Sequence, residues 1–133
     1  MKIINVEGIG PVYAEKLAAA GVNTTADLLK AGAARKGRAD LAAKTGISEK
    51  MILEWVNHAD LARVKGVGSE YSDLLEAAGV DTVKELRNRN PENLHQAILT
   101  TNQAKKLVRR VPSLKEVTAW VAAAKELEPL VTH

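Results

Sequence analysis

Cysteine and phenylalanine are both missing from this 133-residue chain. Without thiols there can be no disulfide, no thiolate nucleophile and no thiolate metal site, so the fold must rest on packing and backbone hydrogen bonds. Two tyrosines and two tryptophans are all the aromatic surface available. That argues against an aromatic-rich β-sandwich, and the abundance of alanine, leucine and valine favours helices that approach closely. Long apolar runs are missing too. Nothing reaches the roughly eighteen consecutive apolar residues of a membrane span, and the opening MKIINVEGIG has no apolar stretch of the kind that directs secretion. A soluble, cytoplasmic protein with no membrane partner is expected. Charge of one sign is scarce as well: 19 basic and 16 acidic residues are interspersed to a net +3, so any partner must be read from local clusters and not from the total.

What the chain does have is a repeat. VEGIGPVYAEKLAAAGV begins at Val6 and VKGVGSEYSDLLEAAGV at Val64. A shift of 58 positions pairs Gly8 with Gly66, Gly10 with Gly68, Tyr13 with Tyr71, Leu17 with Leu75, Gly21 with Gly79, Thr24 with Thr82 and Leu28 with Leu86. The register fades after Leu28, yet Trp55 and Trp120 recur in a shared Trp-Val context 65 positions apart, which predicts an extra helical turn or loop in the second copy. Self-similarity of this kind decides the architecture before any single element does. The expected division is 1-63, including a linking helix over 48-63 that serves both copies, and 64-133.

Helix punctuation is dense. Pro11 suits the first position after Gly10, Gly21 suits a left-handed stop, and Thr24 with Asp27 and Thr82 with Glu85 read as caps three residues apart. Asn90-Pro91-Glu92 and Ser113 with Glu116 read as two more starts. The segment after Ser48 puts Met51, Ile52, Trp55, Val56 and Ala59 on one stripe, and Leu114, Val117, Trp120, Val121, Ala124 and Leu127 form the matching stripe near the C-terminus. Both tryptophans sit mid-stripe and are expected in the core. No segment alternates at period two, so eight to ten short helices and an all-α fold are predicted.

In Gly8-Ile9-Gly10 and Gly66-Val67-Gly68 the central residue can turn inward as a plug while flanking glycines permit a close backbone approach. The neighbouring amides then lie at a helix N-terminus, where free N–H groups and the helix dipole favour an anion such as phosphate. These residues, with GIGPVYAEKL and the small Ala14 and its counterpart Ser72, resemble the helix-hairpin-helix superfamily. GVNTTADLL and GVDTVKEL resemble the short helix that follows the hairpin in related five-helix domains, and two copies in one chain resemble a family of tandem helix-hairpin-helix proteins of unknown function. The resemblance implies two five-helix, SAM-like repeats packed as one compact unit, with nucleic-acid backbone, DNA in particular, held by Gly8, Ile9 and Gly10 or by Gly66, Val67 and Gly68. Lys65 would attract a phosphate where Glu7 would repel one, so the second turn is the stronger candidate.

Two basic clusters could add to such a surface. Arg35, Lys36 and Arg38, with Lys44 beyond, are read on a glycine-flanked loop and the helix after it; Lys105, Lys106, Arg109 and Arg110 are read around one side of a helix. Each cluster serves equally well as a solvated face, and each turn as a tight connection. Tyr13 and Tyr71 are expected to rest their rings on a neighbouring helix with hydroxyls in water. His58, His95 and His133 form no metal-ligand pair, no nucleophile stands beside a base, and the glycine turns lack the context of a dinucleotide site. No catalytic residue, metal or cofactor is expected. The remaining readings are a nucleic-acid binder without sequence preference and a scaffold for another protein.

Overall fold

The repeat reappears in the computed structural model bond by bond. The structure describes residues 2–6 and 8–133; Glu7, with its expected repulsion of phosphate, lies outside the described residues, as does Met1. After a short 3-10 turn over Ile3–Asn5 come α1 (Pro11–Ala19), α2 (Thr25–Gly32), α3 (Arg35–Thr45), α4 (Glu49–Leu61), α5 (Ser69–Ala77), α6 (Val83–Leu86), α7 (Pro91–Lys105) and α8 (Leu114–Lys125). Among the described residues there is no strand, only an isolated bridge between Lys2 and Thr24. The all-helical expectation holds. No described helix is long and apolar enough to cross a membrane.

The chain divides into two units, Met1–Asp60 with Leu130–His133, and Leu61–Pro129. The first contains α1 to most of α4 and the second contains α5 to α8. The last four residues return to the first unit, which a division into 1-63 and 64-133 does not include. Val131 is buried in that unit's core, the Thr132 N–H donates to the Ala33 carbonyl at 2.9 Å, and Arg38 donates to the Thr132 carbonyl at 2.6 Å. No turn or repeat signal marks this return, because it depends on a carbonyl meeting a distant guanidinium.

Each unit starts the same way. Ile9 N–H donates to the Val6 carbonyl and Val67 N–H to that of Val64, both at 3.0 Å. Gly8 and Gly66 stand at φ +89° and +91°, Gly21 and Gly79 at +86° and +98°. After the stop, Val22 and Val80 donate back to Leu17 and Leu75 at 2.9 and 2.8 Å. Thr24 accepts from the Asp27 N–H and Thr82 from that of Glu85. Leu17, Leu28, Leu75 and Leu86, paired by the repeat, are completely buried; each such side chain contributes about 1.5–3 kcal/mol.

Both tryptophans sit in these cores. Trp55 lies 5.2 Å from the Tyr13 ring at 56°, and Trp120 lies 5.3 Å from that of Tyr71 at 51°, the tilted geometry aromatic pairs favour. α7 packs on α8 and on α5, and α2 and α1 pack on α3. The 15-residue α7 is longer than the 13-residue α4 that follows Ser48, although it buries only Leu94 and Ile98. One expectation, the place of Leu114, changes here. Leu114 is 41 % exposed and drops out of its stripe, since it occupies the first position of α8, ahead of the packed face.

A Cβ on Gly66 would stand 3.1 Å from Trp120 Nε1, whereas one on Gly68 would meet nothing within 4 Å. Gly66→Ala adds that crowding to a positive φ and is expected to cost about 2 kcal/mol or more. Gly68→Ala, at φ −91°, is expected to cost less than about 1 kcal/mol. Urea unfolding of the two variants beside wild type measures the difference, and equal losses would refute the account of the turn.

Candidate functional site

At both turns the plug is buried, Ile9 at 4 % and Val67 at 3 % exposure, while Gly8, Lys65, Gly66 and Gly68 are exposed and Gly10 is half-buried. Gly10 and Gly68 are the N-caps of α1 and α5, with extended backbone at φ −88° and −91°. Glycine has no side chain with which to cap. α2, α6, α7 and α8 instead begin at Thr24, Thr82, Asn90 and Ser113, whose side chains accept an amide of the first turn. The Gly10 and Gly68 ends therefore carry the positive end of the dipole with no side-chain acceptor from the cap residue. α1 and α5 each extend for nine residues behind that end.

The two turns differ in what surrounds them. Pro11 and Val12 follow the first, Val12 being 66 % exposed. Lys65 precedes the second and Ser69 follows it. Ser72 is completely buried, where Ala14 is partly buried.

The first basic cluster lies on a helix, not on a loop. α3 begins at Arg35 and includes Gly37 in its first turn, where a Cβ would collide with the Ala31 carbonyl oxygen and glycine is therefore required. Arg35 and Lys36 are exposed at the positive end of α3, whose first turn contains no acidic residue, although Glu49 shares a depression with Arg35. Arg38 is not available for this. It is 4 % exposed and donates to the carbonyls of Gly32 at 2.8 Å, Ala33 at 2.9 Å and Thr132 at 2.6 Å. Burial, with Arg35 nearby, lowers its pKa from the ordinary arginine value, while Glu49 acts in the opposite direction. Arg38 thus caps the C-terminal end of α2 and anchors the returning chain. Arg35 lines a separate depression of about 340 Å³ with Arg38, Glu49, Lys50, Leu53 and His133.

The second cluster, unlike the first, lies mostly beyond its helix. α7 ends at Lys105, and Lys106 takes a left-handed conformation at φ 49°, ψ 48°. The Asn102 side chain donates to the Val108 carbonyl at 3.1 Å and accepts from its N–H at 3.0 Å, turning the chain away from the helix axis. Lys105, Lys106 and Arg109 are exposed. Arg110 is committed: it donates through two nitrogens to both Glu116 oxygens at 2.8 Å. The Tyr71 hydroxyl, expected in water, donates to the Arg110 carbonyl at 2.9 Å. Lys106, Arg109 and Arg110 thereby meet Glu70 and Tyr71, from the first turn of α5, around one cleft of about 590 Å³. Asn102 and Glu116 shape this arrangement and were not among the expected site residues; the Ser113–Glu116 spacing was visible, but its link to Arg110 crosses a loop. His95 serves the same loop, its Nε2 lying 3.1 Å from the Pro112 carbonyl.

Residues 7–127 match a family described as a domain of unknown function, DUF4332. No solved structure matches the chain.

The Arg110 hydrogen bonds, with those of the Ser113 backbone and hydroxyl, lower the Glu116 pKa to about 2. The depressed value means the carboxylate stabilises the folded loop fully above the unfolded glutamate range near pH 4.3, and that contribution disappears as pH falls through about 2. Glu116→Gln is expected to be less stable than wild type at pH 7, with the gap closing below about pH 2; a pH series of thermal melts on both proteins measures it.

Proposed function

Because the chain belongs to the DUF4332 family, a kinship that leaves activity open, we propose that it is a non-enzymatic, sequence-independent nucleic-acid-binding module built from two helix-hairpin-helix repeats, with DNA backbone as its ligand. The observation that carries this reading is the duplicated turn. Gly8 and Gly66 share one backbone conformation, Ile9 and Val67 are buried as plugs, and Gly10 and Gly68 are N-caps without a capping side chain. Five helices take a capping side chain, from Thr24, Ser48, Thr82, Asn90 and Ser113, whereas the two glycine turns and the Ala34 start of α3 do not, and of these the two glycine turns share one backbone.

The second turn is the principal contact, since exposed Lys65 adds a cation beside the amides of Gly66, Val67 and Gly68. Arg35, Lys36, Lys105, Lys106 and Arg109 add sequence-independent attraction. Arg38 and Arg110 act through structure, one holding carbonyls and the other Glu116. Contacts of this kind fix position on a phosphate backbone without reading bases.

A protein-binding scaffold is the second reading, and one observation favours it for the first turn. Pro11 and Val12 present apolar surface there, and Val12 is 66 % exposed. Apolar surface beside a turn suits a protein partner better than a phosphate.

Fluorescence anisotropy of labelled duplex, single-stranded and branched DNA, titrated at low and at physiological salt, separates the two. Micromolar or tighter binding that weakens steeply with salt is expected. Lys65→Glu is expected to weaken it at least tenfold at low salt while Val12→Ser leaves it unchanged. No binding at low salt would sink the nucleic-acid reading, and loss of a captured protein on Val12→Ser would support the scaffold.

A further inference from the structure

The second unit places seven residues, Lys106 to Pro112, between α7 and the Ser113 cap, where the first unit has only Gly46 and Ile47 between α3 and Ser48. The two connections begin alike. Gly46 and Lys106 are both left-handed, at φ 74° and 49°, and donate to the carbonyls of Ala42 and Asn102 at 2.9 and 2.8 Å. Glycine adopts this backbone freely and lysine does not. Among the described residues Lys106 is the one non-glycine with positive φ. A side chain that costs stability, at a position where the sister unit uses glycine, is there for what its ammonium does.

The inserted loop is also held in shape. Asn102 pins Val108 from both sides, the Tyr71 hydroxyl pins the Arg110 carbonyl, and Glu116 neutralises Arg110. This leaves Lys106 and Arg109 as the cations of the 590 Å³ cleft, opposed by Glu70 alone among the other lining residues. Glu70 and Tyr71 belong to the first turn of α5, directly after Gly68. The cleft and the second glycine turn therefore share that end of α5, and the cleft is large enough for a ligand-sized group.

We infer that this cleft is a second phosphate subsite, in which Lys106 and Arg109 hold the sugar-phosphate backbone of a nucleic-acid strand whose neighbouring phosphate lies on the Gly66–Gly68 turn. The inference rests on the nucleic-acid reading above. It makes the second unit the tighter of the two, because the first has neither the inserted loop nor a lysine at the matching position.

The test uses the full chain, labelled duplex DNA and three variants: Lys106→Gly, the double variant Lys106→Gly with Arg109→Gln, and Lys65→Glu. Lys106→Gly is expected to melt about 3 °C higher than wild type, as the left-handed strain is relieved, and to bind several-fold more weakly at low salt. In the double variant the slope of log affinity against log salt is expected to be shallower by about 1.8, the loss of two phosphate contacts. Wild-type binding that Lys65→Glu weakens, with an unchanged slope in the double variant, would overturn the cleft and leave the turn reading standing. Failure of the wild type to bind would overturn both. A Lys106→Gly protein that melts lower and keeps the wild-type slope would give the lysine a structural role and overturn the proposal as well.

Discussion

In each unit an indole nitrogen lies beside the glycine turn, at ordinary contact range from a Cβ in the first and more tightly in the second. A Cβ would stand 3.4 Å from Trp55 Nε1 at Gly8 and 3.1 Å from Trp120 Nε1 at Gly66. This contact joins the first turn of a unit to its last helix, and much of the remaining geometry depends on it. With the glycine held at positive φ, the next residue turns inward as Ile9 or Val67, and the one after becomes an N-cap without a capping side chain. The tyrosine three residues beyond the N-cap glycine then closes over the same indole. Core packing and N-cap geometry thus come from one arrangement, and a residue that crowded the indole would disturb both.

The shared frame carries different chemistry in its two copies. The first turn is bordered by apolar Pro11 and Val12, the second by Lys65 and, around the cleft, by Lys106 and Arg109. Arginine serves two purposes. Arg38 in the first unit and Arg110 in the second hold the protein to itself, through three carbonyls and through a bidentate carboxylate pair. Such planar, multi-donor bonding suits guanidinium better than ammonium. The lysines, which could not hold those partners as well, are the exposed cations.

The positions that sequence reasoning misplaced share a physical cause. Lys105, Lys106, Arg109 and Arg110 fall at helical spacing, but the helix ends at Lys105 because a lysine takes the left-handed stop usually filled by glycine. Gly37 suggested a loop, yet it lies in α3, where a Cβ would collide with the Ala31 carbonyl oxygen and glycine is therefore required. Arg38 read as a surface cation because charge is visible in a sequence and burial against carbonyls is not. The Tyr71 hydroxyl found Arg110 across 39 positions, a separation that no local pattern encodes.

The sequence by itself determined the all-helical class and most helix starts, because each cap rests on residues within four positions of one another: Pro11 after Gly10, Asp27 after Thr24, Glu116 after Ser113; it likewise determined the repeat, which is a register along the chain. It also determined that the core would be built on Trp55 and Trp120, since a stripe at helical spacing is a local property. Tertiary structure alone decided which cations remain exposed, where Leu130–His133 return, and that Lys106 and Arg109 meet the first turn of α5 around one cleft. Those outcomes depend on backbone carbonyls and side chains that meet only after the helices have packed, and adjacency along the chain carries no record of them.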